Sequence, residues 1–430
     1  MQKPFNIAIA GLGTVGGGTA KLLLQNAELL QERCGRRINI VSVLERNVKK
    51  KDELGLSTVK LANSVEELLA TPDLDLVVEL IGGSEGISRT LVEAALKVGK
   101  HVVTANKALI AHHGIALARL AEASGAVLAF EGAVCGGMPI IKCMREGLIA
   151  NRFKSVAGIF NGTCNFILTS MGEEHKDFSD ALAEAQRIGY AEADPSFDVD
   201  GIDSAHKLAI VTSLAYGTIP DIDAVYVEGI RNIEVIDIEF ADELGYTIKL
   251  LGIASDAGEG ILQRVHPCMV SKLSPIGRVN GVYNGIVAEG GAVGDITMEG
   301  KGAGEFPTAS SVVGDIADIA RGARYKPFTI PAASLKKLPP ASMADLKTAY
   351  YLRLDVVDRP GVLAGITGIF RDEGISVGYM LQHTRKQGEV APVIIITHET
   401  LERSMQNALK SIALLDTVAK QPRMIRIENL

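Results

Sequence analysis

Apolar runs alternate with stretches of helical spacing through the first third of the chain. Phe5–Ala10 is a short apolar run that closes on glycine, and it predicts a buried strand. Val15–Leu30 repeats its apolar residues at helical spacing, and Ile38–Leu44 is a second apolar run. The rhythm continues with strand Asp75–Ile81, helix Gly86–Val98, strand His101–Thr104, helix Leu109–Ala123 and strand Val127–Phe130. Strands alternating with helices predict an α/β fold with a parallel, doubly wound sheet.

From about residue 150 the pattern changes. Phe153–Phe160 predicts a strand, helical stretches follow near 164–174, 179–188 and 201–215, and strand candidates recur at 246–254, 261–266 and 283–289. That is the pattern of an α+β domain with an open sheet. Thr308–Arg321 is helical again and is expected to return to the first domain. Residues 325–348 hold Pro327, Pro331, Pro339 and Pro340 and predict a linker. Beyond it, Tyr350–Val357, Gly361–Asp372, Ile375–Thr384, Val390–His398, Leu401–Leu414 and Thr417–Ile427 follow the β-α-β-β-α-β order of a ferredoxin-like domain. The expected domains are 1–137 with a returning helix near 308–322, then 138–307, the linker 325–348, and 349–430.

Composition narrows the class. A chain of 430 residues with 47% hydrophobic and 22% charged residues can bury a large core. Its formal charge of −7 argues against nucleic acid as a partner. The cysteines are Cys34, Cys135, Cys143, Cys164 and Cys268, an odd number without C-x-x-C spacing, which predicts free thiols in a reducing compartment. Met1–Asn6 lacks the order of a signal peptide, and no apolar run approaches the roughly 20 residues that span a bilayer. A cytoplasmic protein with no membrane partner is expected.

The first strand ends in Gly11-Leu12-Gly13-Thr14-Val15-Gly16, and a helix follows at once. A pyrophosphate needs close backbone approach and free N–H donors at a positive helix end. Gly11 allows the turn, Gly13 the approach and Gly16 the close helix–strand contact, which is the Rossmann-type arrangement for a nicotinamide dinucleotide. The second strand ends Leu44-Glu45-Arg46-Asn47. An acidic residue there holds a ribose 2′-hydroxyl, and an arginine holds a 2′-phosphate. Arg46 favours NADP, Glu45 keeps NAD open, and a merely solvated turn is the plain alternative. Lys107, just past the fourth strand at Thr104, is expected on the nicotinamide side, because ligands of open parallel sheets sit beyond the strands' carboxyl ends.

The segment Gly189–Lys207 carries Glu192, Asp194, Asp198, Asp200 and Asp203 before Lys207. Asp203 and Lys207 are spaced i, i+4 and share a helix face. Hydride reduction of a carbonyl leaves a developing alkoxide that needs a proton donor, a role that suits Lys207 with Asp203 to orient it. Glu192 and Asp203 can also receive a substrate ammonium group. The competing reading is a surface ion pair with no chemistry. His206 lies about 100° round the helix from Lys207 and is taken as structural; no histidine is assigned a metal.

Six motifs then appear in order: GLGTVGGG at 11–18, TANKALIA at 104–111, FEGAVCGGMPII at 130–141, GIFNGTCNFIL at 158–168, GYAEADPSFDVDGIDSAHKLAI at 189–210 and GKGAGEFPTASSVVGDI at 300–316. Together they resemble the long bacterial type of homoserine dehydrogenase over nearly the whole chain. The tail, with DRPGVLAGITGIF at 358–370, resembles an ACT regulatory domain. The resemblance implies reversible NAD(P)-dependent conversion of L-aspartate 4-semialdehyde to L-homoserine, the branch step towards threonine, methionine and isoleucine. It implies Lys207 as proton donor, Lys107 in contact with cofactor and substrate, and Gly189, Glu192 and Asp203 in substrate binding. Gly302 is implied to approach the cofactor. A monovalent cation, usually sodium, is implied at Glu131, Val134, Gly136 and Met138. The ACT resemblance implies amino-acid feedback, with threonine the expected effector at the Asp355–Gly361 turn, and the family implies a homodimer or homotetramer, the middle domain serving both substrate and dimer.

Two rival readings of the residues remain at this point. One is a thiol-dependent aldehyde dehydrogenase acting through Cys135 or Cys164. The other is a non-catalytic sensor that binds nucleotide and amino acid.

Overall fold

The computed structural model describes residues 3–382 and 389–430. The chain begins with β1 (Phe5–Ala10), α1 (Thr14–Gln25), α2 (Ala27–Cys34), β2 (Ile38–Leu44), α3 (Val48–Glu53), β3 (Lys60–Ala62) and α4 (Val65–Leu69). It continues with β4 (Leu76–Glu79), α5 (Ile87–Lys97), β5 (His101–Thr104), α6 (Lys107–Ser124) and β6 (Leu128–Ala129). Next come α7 (Ile140–Lys142), β7 (Phe153–Ile159), α8 (Gly162–Glu174), α9 (Phe178–Arg187), α10 (Ser196–Val199), α11 (Ile202–Tyr216), β8 (Val225–Val227) and α12 (Val235–Glu243). After them run β9 (Tyr246–Asp256), β10 (Ile261–Ser271), β11 (Tyr283–Gly290), β12 (Gly294–Lys301) and α13 (Glu305–Ala320). The last elements are β13 (Lys347–Val357), α14 (Val362–Asp372), β14 (Val377–Gln382), β15 (Val390–Thr397), β16 (Thr400–Leu401), α15 (Glu402–Ile412) and β17 (Arg423–Glu428). The expected strand Ile375–Thr384 runs, at His383 and Thr384, outside the described residues.

Two units divide the chain: Met1–Gly162 with Asp203–Val225 and Val282–Leu338, and Thr163–Ile202 with Tyr226–Gly281 and Pro339–Leu430. In the first, six parallel strands stand in the order β3-β2-β1-β4-β5-β6, the doubly wound order of a dinucleotide-binding sheet. Its centre is apolar: Ile7, Ile9, Val43 and Val78 share one core with Val312, Val313, Ile316 and Ile319 of α13. Helix α13 packs on this sheet's core, and Lys21 of α1 pairs with Glu305 at its start, 2.7 Å away. The unit also holds the strands β12, β11 and β7, paired antiparallel in that order.

Some expectations change here. The single helix over Val15–Leu30 is two helices, broken at Asn26, whose backbone (φ −107°, ψ 23°) leaves the helical region. Asparagine favours such local departures because its side chain competes for backbone groups. The elements α3, β3, α4, α12 and β12 lie outside the expected pattern: the first three are too short to show a period, and β12 follows a glycine-rich turn. The proline-rich stretch is no free tether in its first half. Phe328 is fully buried, its ring 5.3 Å from that of Phe130, and Glu122 accepts the N–H of Ala332 at 3.0 Å. Fixed proline φ angles suit a set path as well as a spacer.

In the second unit β9 and β10 form a long antiparallel hairpin, and β10 pairs in parallel with β17. The sheet then continues β17-β13-β15-β14. Apolar residues alternate along β13, so Tyr350, Leu352, Leu354 and Val356 meet Ile366 and Phe370 of α14 and Met405 and Ile412 of α15. This is the split β-α-β-β-α-β core expected for the tail. Two fully buried arginines lie in it, each neutralised: Arg426 by Glu402 (2.6 Å) and Glu228 (2.9 Å), and Arg353 by Asp237 (2.7 Å) and Asp355 (2.8 Å). Buried charges need such pairing.

Candidate active site

The turn after β1 is built for a ligand's backbone approach. Gly11 sits at φ 89°, and a β-carbon on it would lie 2.6 Å from Leu80 O. A β-carbon on Gly16 would lie 1.9 Å from Gly11 O, so the helix meets the strand only because that residue is glycine. At Gly13 a β-carbon would meet nothing within 4 Å. Gly13 is also the N-cap of α1 and brings no side-chain cap, so the helix's first N–H groups face this open space, followed by Thr14 and Val15. Uncapped donors at a positive helix end fit a pyrophosphate.

Glu45 has a different role from the one weighed for it. Its Oε2 accepts the N–H of Leu12 at 2.7 Å and its Oε1 that of Asn47 at 2.9 Å. Burial works against its charge, but the N–H donors of Asn47 and Leu12 outweigh that and hold its carboxyl below the usual range. One oxygen therefore holds the glycine turn and the other the turn that follows β2. Arg46 beside it is exposed.

At the carboxyl ends of β4 and β5 stands the lysine expected there. Asn106 caps α6 by accepting the N–H of Leu109 at 3.1 Å, and Lys107 opens the helix. Its Nζ lies 3.1 Å from Asp203 Oδ1. Lys207 Nζ lies 2.7 Å from Asp203 Oδ2 and donates to Phe160 O at 2.7 Å, while Asn161 Nδ2 donates to the same Asp203 oxygen at 2.8 Å. Asp203 and Lys207 are buried on α11, where the i, i+4 spacing places them together. Burial opposes the ionisation of Asp203, yet Lys207 and Lys107 outweigh it and hold the carboxyl far below its ordinary value. An interior carboxylate between two ammonium groups is not a surface ion pair. His206 packs edge-on against His112, with ring centroids 5.3 Å apart, and burial lowers its pKa.

Family comparison decides what this geometry belongs to. Residues 139–317 match the model for "Homoserine dehydrogenase", 11–131 that for "Homoserine dehydrogenase, NAD binding domain", and 350–414 that for "ACT domain". The chain is 43% identical to a homoserine dehydrogenase of Neisseria gonorrhoeae over the whole of both chains. The chain belongs to the homoserine dehydrogenase family. Members of this family are oxidoreductases. A crystal structure of the homoserine dehydrogenase from Thiobacillus denitrificans superposes with TM-score 0.93 at 45% identity, covering 99% of each chain. A hyperthermophilic archaeal homoserine dehydrogenase in complex with NADPH covers 75% of this chain and all of its own, with TM-score 0.65 and 29% identity.

The other expected residues of this homoserine dehydrogenase fold fall as follows. Gly189 (φ 82°) and Glu192 lie exposed in the turn after α9, in the second unit. Gly302 is buried in the turn before α13, where a β-carbon would lie 2.1 Å from the Asn284 side chain. The loop with Glu131, Val134, Gly136 and Met138 passes through Cys135 at φ 50°. There the Glu131 carboxylate is already engaged: its oxygens accept the N–H groups of Ile141 and Lys142, each at 2.8 Å. A hard cation there would draw on the remaining lone pairs of that carboxylate and on the loop carbonyls, of which that of Met138 also accepts the N–H of Ile140 at 2.8 Å.

Neither thiol suits a nucleophile. Cys135 is fully buried, burial pushes its thiol up to about 11, and Asn284 Nδ2 donates to it at 3.3 Å. Cys164 is buried and donates to Asp198 O at 3.2 Å. A protonated interior thiol is inert. His266, Cys268 and Glu428 bring metal-ligand atoms within 4.8 Å of one another, but Arg264 Nη2 lies 3.0 Å from each Glu428 oxygen. Burial also keeps Cys268 protonated. No metal role follows.

At the β13–α14 turn Asp358, Arg359, Gly361, Leu363 and Gln382 line a cleft of about 520 Å³, in the ACT domain. Among the described residues no helix is long and apolar enough to cross a membrane.

Proposed function

We propose that this chain catalyses the reversible reduction of L-aspartate 4-semialdehyde to L-homoserine with a nicotinamide dinucleotide, NADPH in preference to NADH. The step would serve threonine, methionine and isoleucine biosynthesis. The observation that carries the reading is the buried Asp203 carboxylate held between Lys107 and Lys207.

The bound cofactor supplies the hydride. Gly11, Leu12, Gly13, Thr14, Val15 and Gly16 hold its pyrophosphate on the α1 end, with Gly302 as a further contact. With Glu45 drawn onto Leu12 and Asn47, exposed Arg46 is the side chain left to answer a 2′-phosphate. Lys207, oriented by Asp203 and Phe160 O, donates its Nζ proton to the alkoxide that develops on the substrate. The Asp203 carboxyl is held far below its ordinary value by Lys207 and Lys107, so both ammonium groups keep their counter-charge at neutral pH. Lys107 orients the carbonyl from its helix end, and Asp203 receives the amino-acid end of the substrate; the family resemblance assigns Gly189 and Glu192 to substrate binding as well.

The carbonyls of Val134, Gly136 and Met138, with Glu131 behind them, would hold a sodium ion in a structural role. Threonine would act at the 356–364 cleft, and the working form is a homodimer or homotetramer. The test is direct: the purified chain is given NADPH and aspartate semialdehyde, then NADP+ and homoserine. Cofactor turnover in both directions is expected, slowed by millimolar threonine. No turnover in either direction refutes the catalytic reading, and turnover indifferent to threonine refutes the effector.

A further inference from the structure

The last residue of β4 is a carboxylate in the interior of the nucleotide-binding unit. Glu79 is fully buried at the carboxyl end of the strand beside β1. Its Oε1 accepts the N–H groups of Ile81 (2.9 Å) and Gly82 (3.1 Å) and lies 2.9 Å from Ser88 Oγ. Its Oε2 accepts the hydroxyl of Thr104 at 2.7 Å, from the end of β5. All these donors are neutral. Among the described residues no cation pairs with it; an interior carboxylate so held is costly, and a leucine or methionine would fill the same volume without that cost.

The hydrogen bonds lead on from Glu79 to the reacting end. Thr104 Oγ1, having donated to Glu79, accepts the N–H of Asn106 at 2.9 Å. Asn106 caps α6 through Leu109 and reaches back with Nδ2 to Gly83 O at 2.7 Å. The turn Ile81–Gly83, with Gly82 and Gly83 at φ 90° and 81°, is thus gripped from both sides. The first residue beyond this relay is Lys107. One carboxylate therefore fixes the turn beyond β4 and the start of the helix that presents Lys107.

We infer that Glu79 is a positioning residue: through Thr104 and Asn106 it sets where Lys107 stands relative to the turn at Ile81–Gly83. A carboxylate is required because it accepts from every side. A glutamine keeps the shape but presents N–H groups to N–H or O–H donors, so one link of the relay fails. The inference rests on the reading of Lys107 as a residue that orients the substrate.

The test uses the full chain with E79Q, T104V, T104S and K107A, and the double variant E79Q/K107A. Steady-state kcat and KM are measured with NADPH affinity by cofactor fluorescence, and thermal melting checks folding. E79Q and T104V are each expected to lower kcat about ten- to a hundredfold, the scale of a misplaced catalytic contact. T104S, which keeps the hydroxyl, recovers the loss. In the K107A background, E79Q costs about twofold or less, because the group it positions is gone. Equal losses in both backgrounds overturn the inference, since they mark a general structural role. Unchanged kcat in T104V overturns it even if E79Q fails to fold. Should K107A itself keep full turnover, the reading of Lys107 falls first and this inference with it.

Discussion

Lys107 and Asp203, almost a hundred positions apart in sequence, meet at 3.1 Å between the start of α6 and the first turn of α11. That contact ties the nucleotide-binding sheet to the helix that bears Lys207. The charge on Asp203 is shared by both lysines, so its removal should be felt at both. In Asp203→Asn two ammonium groups lose their counter-charge and Lys207 stays buried. Breaking a buried ion pair from one side costs about 3–5 kcal/mol. An unfolding free energy from urea titration lowered by that amount, with kcat/KM reduced, is the expected result; unchanged stability would show that the pair is solvated.

Lys207→Ala should act on chemistry and spare cofactor binding. Loss of a proton donor is worth about 10²–10⁴-fold in kcat. NADPH fluorescence titration should return a dissociation constant close to that of the parent. Retained turnover would remove Lys207 from the proton step.

Arg46→Ala tests the cofactor assignment. A hydrogen bond to a charged group contributes about 1.5–3 kcal/mol, so KM for NADPH should rise about tenfold or more, while KM for NADH stays level. A variant that weakens both cofactors equally would place Arg46 outside the 2′-phosphate site.

Cys135→Ser should keep most of its turnover, since the buried thiol, with its pKa pushed up to about 11, carries no charge at neutral pH. Complete inactivation of a variant that still melts cooperatively would revive the thiol mechanism.

His101 supplies a pH dependence. Its Nδ1 accepts the N–H of Val127 at 2.9 Å, and burial, reinforced by the charge of Arg324, lowers its pKa from 6.5 to about 4. The folded chain thus binds fewer protons than the unfolded one between those values. Its contribution to stability is present above about pH 6.5 and is lost as the pH falls towards 4. Denaturant midpoints across that window should fall with acid, and His101→Asn should flatten the slope. A slope identical to the parent's would assign the acid sensitivity to other groups.

Much of this was legible in the sequence where period and punctuation agree. The run Phe5–Ala10 followed by Gly11–Gly16 announces both strand and turn, and the i, i+4 pair Asp203–Lys207 announces a shared face. What spacing does not reveal is burial: the same pair reads equally well as a solvated bridge until Phe160 O, Asn161 and Lys107 close around it. Asn161 and Glu79 went unnoticed for that reason, each a single polar residue at the end of an apolar strand. That position at a strand's carboxyl end was the available signal for both. Glu45 was noticed, but its partners are the N–H groups of Leu12 and Asn47, and backbone donors leave no trace in residue type. The break at Asn26 is a local conformational choice that apolar periodicity cannot register.

The parallel pairing of β10 with β17 bears on modularity. Cys268, Met269 and Val270 face Arg426, Ile427 and Glu428 across that seam, and Arg264 is neutralised there by Glu428. A chain cut back to residue 346 would bare the flank of β10 as a hydrogen-bonding template and strand an interior guanidinium. The ACT domain is grafted into the sheet rather than hung from it, so deleting it is expected to cost solubility before it reveals anything about regulation.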